Sequence, residues 1–128
     1  AWVVEQLGPD VPMHFTAFHP DYKMMDRPPT PAATLTRARE IAMKNGVRYA
    51  YTGNVIDETG GSTWCHGCGQ RLIGRSQYLL TEWNLTGEGR CNKCGTACPG
   101  VFEAEPGTWG ARRLPVRLRD YATTGKRA

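Results

Sequence analysis

The stretch that decides how this chain folds is Cys65-His66-Gly67-Cys68-Gly69 together with Cys91-Asn92-Lys93-Cys94-Gly95. Two CxxC pairs, each followed by glycine, have the spacing of a four-thiolate metal site built from two tight turns. Within each pair, the two-residue separation lets both sulfurs point into one hollow, and the glycine lets backbone amides approach the thiolate charge. We therefore predict one metal site with four ligands: Cys65, Cys68, Cys91 and Cys94.

Two disulfides are the first alternative to a metal site. Cysteines this close in sequence rarely bridge well, and a redox-active CxxC usually opens a helix, which Gly67 and Gly69 do not favour. Zinc is the expected ion, because closed four-cysteine sites in small ribbons are usually structural. Iron in a rubredoxin-like site that transfers electrons is the alternative, and spacing alone does not separate the two metals.

The fifth cysteine, Cys98, follows the second pair closely, and we interpret it as a spare thiol rather than a ligand. Four cysteines in metal-type pairs suit a reducing compartment better than a secreted disulfide framework. The sequence has no apolar run long enough to cross a bilayer and no secretion-signal pattern, so a cytoplasmic protein without membrane contact is expected.

Positive charge is concentrated at the C-terminal end. The whole chain has 16 basic and 12 acidic residues and a net charge of +4. Six of the basic residues but only one acidic residue, Asp120, lie in 107–128, so this segment has a net charge of +5 and the rest of the chain has a net charge of −1. We predict that 107–128 is a basic, flexible tail, in which 114–118 adds an edge strand and 121–128 is frayed.

The first part of the chain, 1–56, has the pattern of alternating helices and strands. The chain starts without Met, and Ala1 to Gly8 is typical of the end of a helix, so we expect that further sequence precedes it. A strand is predicted at 11–18 from its alternation, and a second at 47–51. Between them we predict a helix that starts with Thr30 as N-cap and Pro31 at the first position. Its buried stripe would be Leu35, Ala38, Ile41 and Ala42, its solvated face Arg37, Arg39 and Lys44, and its end Gly46.

Helix, strand, helix and strand at these lengths predict a parallel sheet. An acidic, glycine-containing link at 57–62 would then lead to a zinc-ribbon-like β module at 63–106. In this module we predict three antiparallel strands, at 71–73, 78–83 and 101–102, which metal binding stabilises because the core is small.

Several segments together resemble one enzyme family. They are Gly8-Pro9-Asp10-Val11-Pro12-Met13-His14-Phe15, Phe18-His19-Pro20-Asp21-Tyr22, Arg27-Pro28-Pro29-Thr30-Pro31, Tyr51-Thr52-Gly53-Asn54-Val55 and the two CxxCG turns. From about Ala1 to Phe102 the chain resembles the C-terminal third of AmmeMemoRadiSam system radical SAM enzymes, relatives of pyruvate formate-lyase-activating enzyme.

The resemblance implies an α/β fold that is a fragment of a partial (β/α) barrel, followed by the β module. In this family, three cysteines of a CxxxCxxC motif hold a [4Fe-4S] cluster that cleaves S-adenosylmethionine to start radical chemistry. No CxxxCxxC occurs in the 128 residues. We therefore expect the chain alone to lack the cluster and to be inactive, and we expect the remainder of the barrel to be its partner.

The resemblance also implies a role for one histidine. In such enzymes a strand ending in a Phe-His pair brings its histidine to S-adenosylmethionine, and the matching residue here is His19. Capping of the strand end is the alternative role of His19. We interpret His14 as a packed residue, and Thr52 and Asn54 as turn residues.

A different function class remains open. Zinc ribbons can bind nucleic acid or protein partners, and Trp109 and Tyr121 among the basic residues of the tail could stack on bases. The basic residues are few and not periodic, which disfavours nucleic acid. Unpaired strand edges of a half-barrel also predict self-association into a homo-oligomer.

Overall fold

The computed structural model describes residues 2–113, 115, 117 and 118. Its elements in chain order are α1 (Trp2–Leu7), β1 (Met13–Thr16), α2 (Ala32–Lys44), β2 (Ala50–Gly53), α3 (Glu58–Gly61), β3 (Thr63–Trp64), β4 (Arg71–Ser76) and β5 (Leu79–Trp83). In this part of the chain β1 and β2 form one sheet, and β3, β4 and β5 form another.

The first sheet is a parallel pair, as the alternation of helices and strands predicts. Met13 pairs with Ala50, and Thr16 pairs with Gly53. Met13 and Phe15 pack with Val4 and with residues of α2 and β2, whereas His14 and Thr16 of β1 are exposed. The second strand starts three residues later than predicted. The described residues contain one parallel pair, β1 and β2, connected by α2 and preceded by α1. The predicted partial barrel is therefore not present in this part of the chain.

The buried face of α2 differs from the predicted stripe. Leu35 and Ala42 are buried, but Ile41 is 50% exposed, so its assignment to the core is wrong. Arg39, predicted to be solvated, is half-buried, and its Nε donates to the Ala50 carbonyl at 2.9 Å. The stripe therefore follows positions 35, 38, 39 and 42, the i, i+3, i+4, i+7 spacing of one helix face.

The start of α2 also differs from the prediction. Pro31 occupies the cap position and no side chain caps the helix. The Thr30 hydroxyl instead accepts from the Phe18 amide at 3.0 Å, and the Thr30 amide donates to the Phe18 carbonyl at 3.0 Å. Thr30 is committed to holding the end of the β1 segment, which removes it from helix capping.

The second sheet is antiparallel in the order β3-β4-β5. Together with β4 and β5, Thr63–Trp64 supplies the third strand of this sheet, and the prediction of a strand at 101–102 is wrong. Val101 is fully exposed, and the Phe102 ring packs edge-on against Trp83 with 6.4 Å between centroids. Phe102 thus covers the sheet through its side chain rather than through a backbone ladder.

The segment predicted as a link, 57–62, is folded against both sheets. Asp57 accepts from the Gly60 amide at 2.9 Å and from the Thr52 hydroxyl at 3.0 Å, and Ser62 is fully buried. One hydrophobic cluster joins Tyr49 of the first part to Leu72 and Ile73 of the second. The division into one module at 1–56 and another at 63–106 stays a prediction. The segment 57–62, predicted to separate them, is packed against both.

The predictions for the end of the chain fall largely outside the described residues. The edge strand at 114–118 depends on Leu114 and Val116, and the frayed end at 121–128 is wholly outside them. In the part of the tail that is described, Trp109 Nε1 donates to the Arg112 carbonyl at 2.8 Å. None of the helices in the described ranges has the length and apolar character needed to cross a membrane.

Candidate metal centre

Both cysteine pairs lie in turns of the same conformation. The Gly69 amide donates to the Cys65 carbonyl, and the Gly95 amide donates to the Cys91 carbonyl, each at 2.9 Å. Both glycines have φ of +73°, and a Cβ on either would meet no atom within 4 Å. Glycine is therefore required by the left-handed backbone and not by lack of space.

The four predicted ligands converge. The Sγ atoms of Cys65, Cys68, Cys91 and Cys94 all lie within 4.8 Å of one another. The Cys65–Cys94 and Cys68–Cys91 sulfurs are 3.6 and 3.7 Å apart. A tetrahedral ion with metal–sulfur bonds of 2.3 Å requires sulfur separations of about 3.8 Å, so the four thiolates fit one ion.

All five cysteines are free thiols in the structure, and the four of the two pairs converge as one group rather than as two disulfides. The same tetrahedron suits zinc and iron, and the identity of the metal does not follow from the geometry.

The four sulfurs divide into an inner and an outer pair. Cys65 and Cys91 are buried, whereas Cys68 and Cys94 are exposed. The inner pair belongs to the main hydrophobic cluster, whose other buried members are Tyr49, Leu72, Ile73, Leu85 and Cys98. The centre thus links the two turns to β4 and to the residue that precedes β2.

The outer thiolate Cys94 has a side-chain hydrogen-bond partner. The Cys94 thiol donates to the Thr96 Oγ1 at 3.2 Å, and when Cys94 is a thiolate the hydroxyl donates to the sulfur instead. A Cβ on Gly67 would be 2.4 Å from the Thr96 Oγ1. Gly67 is therefore the residue that lets the second turn approach the first.

The other outer thiolate, Cys68, lacks an equivalent hydroxyl. Gln70 occupies the position that corresponds to Thr96, and its side chain donates to Asn92 Oδ1 at 2.6 Å. Although the two turns share their backbone geometry, the two outer thiolates have different surroundings.

This difference appears in the acidity of the metal-free cluster. Hydrogen bonds from the Thr96 hydroxyl and amide lower the pKa of Cys94 to about 6. The Gln70 amide lowers the pKa of Cys68, but desolvation and hydrogen bonds with the other three thiols outweigh it and raise that pKa to about 12. Cys94 is therefore the first of the two outer thiols to lose its proton.

Cys98 lies outside the four-sulfur group. It is buried, and its amide donates to the Gly89 carbonyl at 2.9 Å. Burial raises the pKa of the Cys98 thiol. The pKa of the Tyr49 hydroxyl is also raised, mainly by burial and to a smaller extent by the neighbouring Cys98. Tyr49 Oη is in turn 3.3 Å from His66 Nδ1 of the first turn.

The structure does not bring His19 into this group. His19 is exposed and follows the end of β1, and its predicted contact with S-adenosylmethionine stays a prediction. His14 lies on β1 with its ring stacked on Tyr51, at 5.1 Å between centroids. His14 and Tyr51 line an open cleft of about 810 Å³ that also includes Arg75, and His19 is not part of its lining.

Thr52 within β2 and Asn54 just after it have different structural roles. Asn54 has φ of +57°, and its side-chain amide donates to the Ala17 carbonyl at 3.0 Å. Thr52 is buried against Asp57. The conformation of Asn54 agrees with its interpretation as a turn residue. Thr52 instead lies within β2, where it pairs with Phe15, so its interpretation as a turn residue is wrong.

Sequence reasoning missed Thr96 and the cleft residue Tyr51. The sequence does contain a signal for Thr96, because Thr96 follows the ligand Cys94 by two residues and a hydroxyl at that spacing can contact the sulfur. No sequence signal shows that Gly67 faces Thr96, because that contact depends on how the two turns meet.

The chain is similar in sequence to part of a longer protein. No protein-family model matches the sequence, and no solved structure matches it. Among curated proteins the chain is similar to the uncharacterized protein MJ0808 of Methanocaldococcus jannaschii, with 45% identity over 95 residues. The match covers 73% of this chain but 28% of that protein, so the relative extends well beyond the matched part.

Proposed function

We propose that this chain is the metal-binding C-terminal portion of a radical SAM protein similar to pyruvate formate-lyase-activating enzymes. In this proposal Cys65, Cys68, Cys91 and Cys94 hold one structural zinc ion. The observation that carries the metal site is the convergence of four sulfurs at tetrahedral separations.

The donor set favours a structural role over a catalytic one. Four protein thiolates fill a tetrahedral site and leave no position for water or substrate. A bound zinc ion supplies folding free energy, and the four cysteines use it to hold 65–69 and 91–95 together. The hydrophobic cluster around the inner cysteines contains seven buried residues, which is a small core for this part of the chain.

Elemental analysis tests the site and its metal. We expect about one zinc per chain in a colourless preparation, and loss of the metal when Cys65 or Cys91 is replaced by Ser. Cys98→Ser is the matched control and is expected to keep the metal. A red preparation with one iron would instead support the rubredoxin-like alternative, and a wild-type chain without metal would refute both.

The radical SAM part of the proposal is supported by the order of the sequence motifs and by the parallel βα unit. The polar side of this unit carries the cleft with His14, Tyr51 and Arg75, opposite the side that α2 covers. The greater length of the relative allows for further βα units. A CxxxCxxC loop in such units would supply the [4Fe-4S] cluster that this chain lacks.

A longer protein that contains this chain tests the assignment. Such a protein, reconstituted with iron and sulfide under anaerobic conditions, is expected to cleave S-adenosylmethionine, whereas the 128-residue chain is not. His19→Ala in the longer protein is expected to weaken S-adenosylmethionine binding, with Asp26→Asn as an exposed control. If His14→Ala weakens binding and His19→Ala does not, the role belongs to His14.

Nucleic-acid binding is the second candidate, and one surface favours it. A cleft of about 670 Å³ between α2 and the first turn is lined by Arg39, Arg48, His66 and Trp64. The Arg48 guanidinium also pairs with the Asp10 carboxylate at 2.9 Å, which offsets part of this positive charge. The affinity for single-stranded RNA, measured by titration, should then fall as salt is added. Binding that is insensitive to salt, or unchanged in Arg48→Gln, would exclude this candidate.

A further inference from the structure

We propose that Cys68 is the nucleophilic position of the metal centre and the residue that accepts an alkyl group from soft electrophiles. This inference rests on the metal site proposed above. It concerns the difference between the two outer thiolates, which the four-cysteine pattern does not reveal.

Exposure restricts the reaction to two of the four ligands. Cys65 and Cys91 are buried at 3% and 1% exposure in the hydrophobic cluster, where an incoming electrophile cannot reach their sulfurs. Cys68 and Cys94 both reach solvent, Cys94 more openly than Cys68. Cys98, the remaining thiol, is buried as well.

Hydrogen bonding then separates the two exposed thiolates. Cys94 has the Thr96 hydroxyl at 3.2 Å, whereas the side chain of Gln70 is turned away from Cys68 and bound to Asn92. A hydrogen bond to a thiolate withdraws charge from the sulfur, and it must be given up when the sulfur becomes a neutral thioether. Cys68 therefore keeps more charge and loses less on reaction.

The reaction is a substitution at carbon. The Cys68 thiolate attacks the carbon of an alkyl donor, the new bond is S–C, and the bond between that carbon and its leaving group breaks. The leaving group departs with the bonding electron pair, and no group is oxidised or reduced. The product is a neutral thioether, which is a weaker ligand than the thiolate, so alkylation of Cys68 is expected to loosen the centre.

The test uses the full zinc-loaded chain and substoichiometric iodoacetamide, with adducts located by fragment mass spectra. We expect adducts on Cys68 to exceed those on Cys94 by about tenfold, the size expected for one charge-assisted hydrogen bond. Thr96→Val, which removes the hydroxyl at nearly constant shape, should bring the ratio close to one. Thr96→Ser, which keeps a hydroxyl, should restore the preference.

Zinc content measured on the same samples separates the two proposals. Stoichiometric zinc with equal labelling of Cys68 and Cys94, or with a ratio that Thr96→Val leaves unchanged, would overturn this inference and leave the metal site standing. Wild-type protein without zinc would overturn the metal site and this inference with it.

Discussion

At the scale of single residues, the centre depends on the identity of four cysteines and on the shape of the chain beside them. Removal of one cysteine from a closed site leaves the ion with three thiolates. Metal binding at a whole structural zinc site contributes about 10–16 kcal/mol to folding, and the substitution loses part of this free energy. The cost of one substitution therefore depends on whether the cysteine binds the ion, and burial alone does not determine it.

We predict that Cys91→Ser unfolds the part of the chain from β3 onward, whereas Cys98→Ser does not. Both residues are buried, at 1% and 6% exposure, but only Cys91 belongs to the four-sulfur group. Thermal melts followed by circular dichroism, together with zinc content, check this. A melt of Cys91→Ser that matches wild type would contradict the metal-dependent fold.

Gly69→Ala is predicted to destabilise the first turn by about 1 kcal/mol, the cost of placing a Cβ in a left-handed conformation. No atom would contact the new methyl group, so the penalty is conformational. Gly107→Ala is the matched control, because Gly107 also has open space and has no positive φ. Denaturant titrations of both variants measure the difference, and equal midpoints would exclude the conformational explanation.

Acidity provides a residue-scale prediction for metal release. The ligands bind as thiolates, so protons compete with the ion and binding weakens as pH falls. Cys94, with its pKa lowered to about 6 in the metal-free cluster, is protonated only below that value, whereas Cys68 binds a proton throughout the neutral range. Zinc affinity should therefore fall from pH 8 to pH 5, and more steeply below pH 6. An affinity independent of pH would argue against thiolate ligation.

At the scale of helices and strands, Asp57 is the residue that secures α3. Asp57→Ala is predicted to cost about 1–2 kcal/mol, because it removes an N-cap and leaves the Thr52 hydroxyl without this partner. Glu58→Ala, at an exposed position of the same turn, should change stability by less than about 0.5 kcal/mol. Chemical denaturation of the two variants checks the prediction, and equal losses would show that α3 is not held by its cap.

The elements also show how far sequence alone reaches. Helix α2, the parallel pairing of β1 with β2 and the four ligands are local or strongly patterned, so they could be predicted. Thr30 fits the N-cap pattern, and only its contact with Phe18 shows why it does not cap. Val101 and Phe102 suit a strand, so the sequence predicts the third strand of the second sheet at 101–102. Pairing with β4 is instead decided by tertiary contact with Thr63 and Trp64.

At the scale of the whole molecule, the parallel sheet of the described residues is small and has an open edge. In the described residues it has two strands, and the backbone of β1 on the side away from β2 pairs with no other strand. We predict concentration-dependent self-association of the 128-residue chain through this edge. Sedimentation velocity at several concentrations tests it, with a longer protein that completes the sheet as the control. A monomer at all concentrations would contradict the prediction.

The separation of the two turns along the chain has a consequence for biosynthesis. Cys65 and Cys68 leave the ribosome 26 residues ahead of Cys91 and Cys94, which at 5–20 residues per second is about 1–5 s. During this interval the nascent chain carries only half of a coordination shell. Metal insertion must wait for the second turn, and until then the first two thiols are open to capture by competing ions.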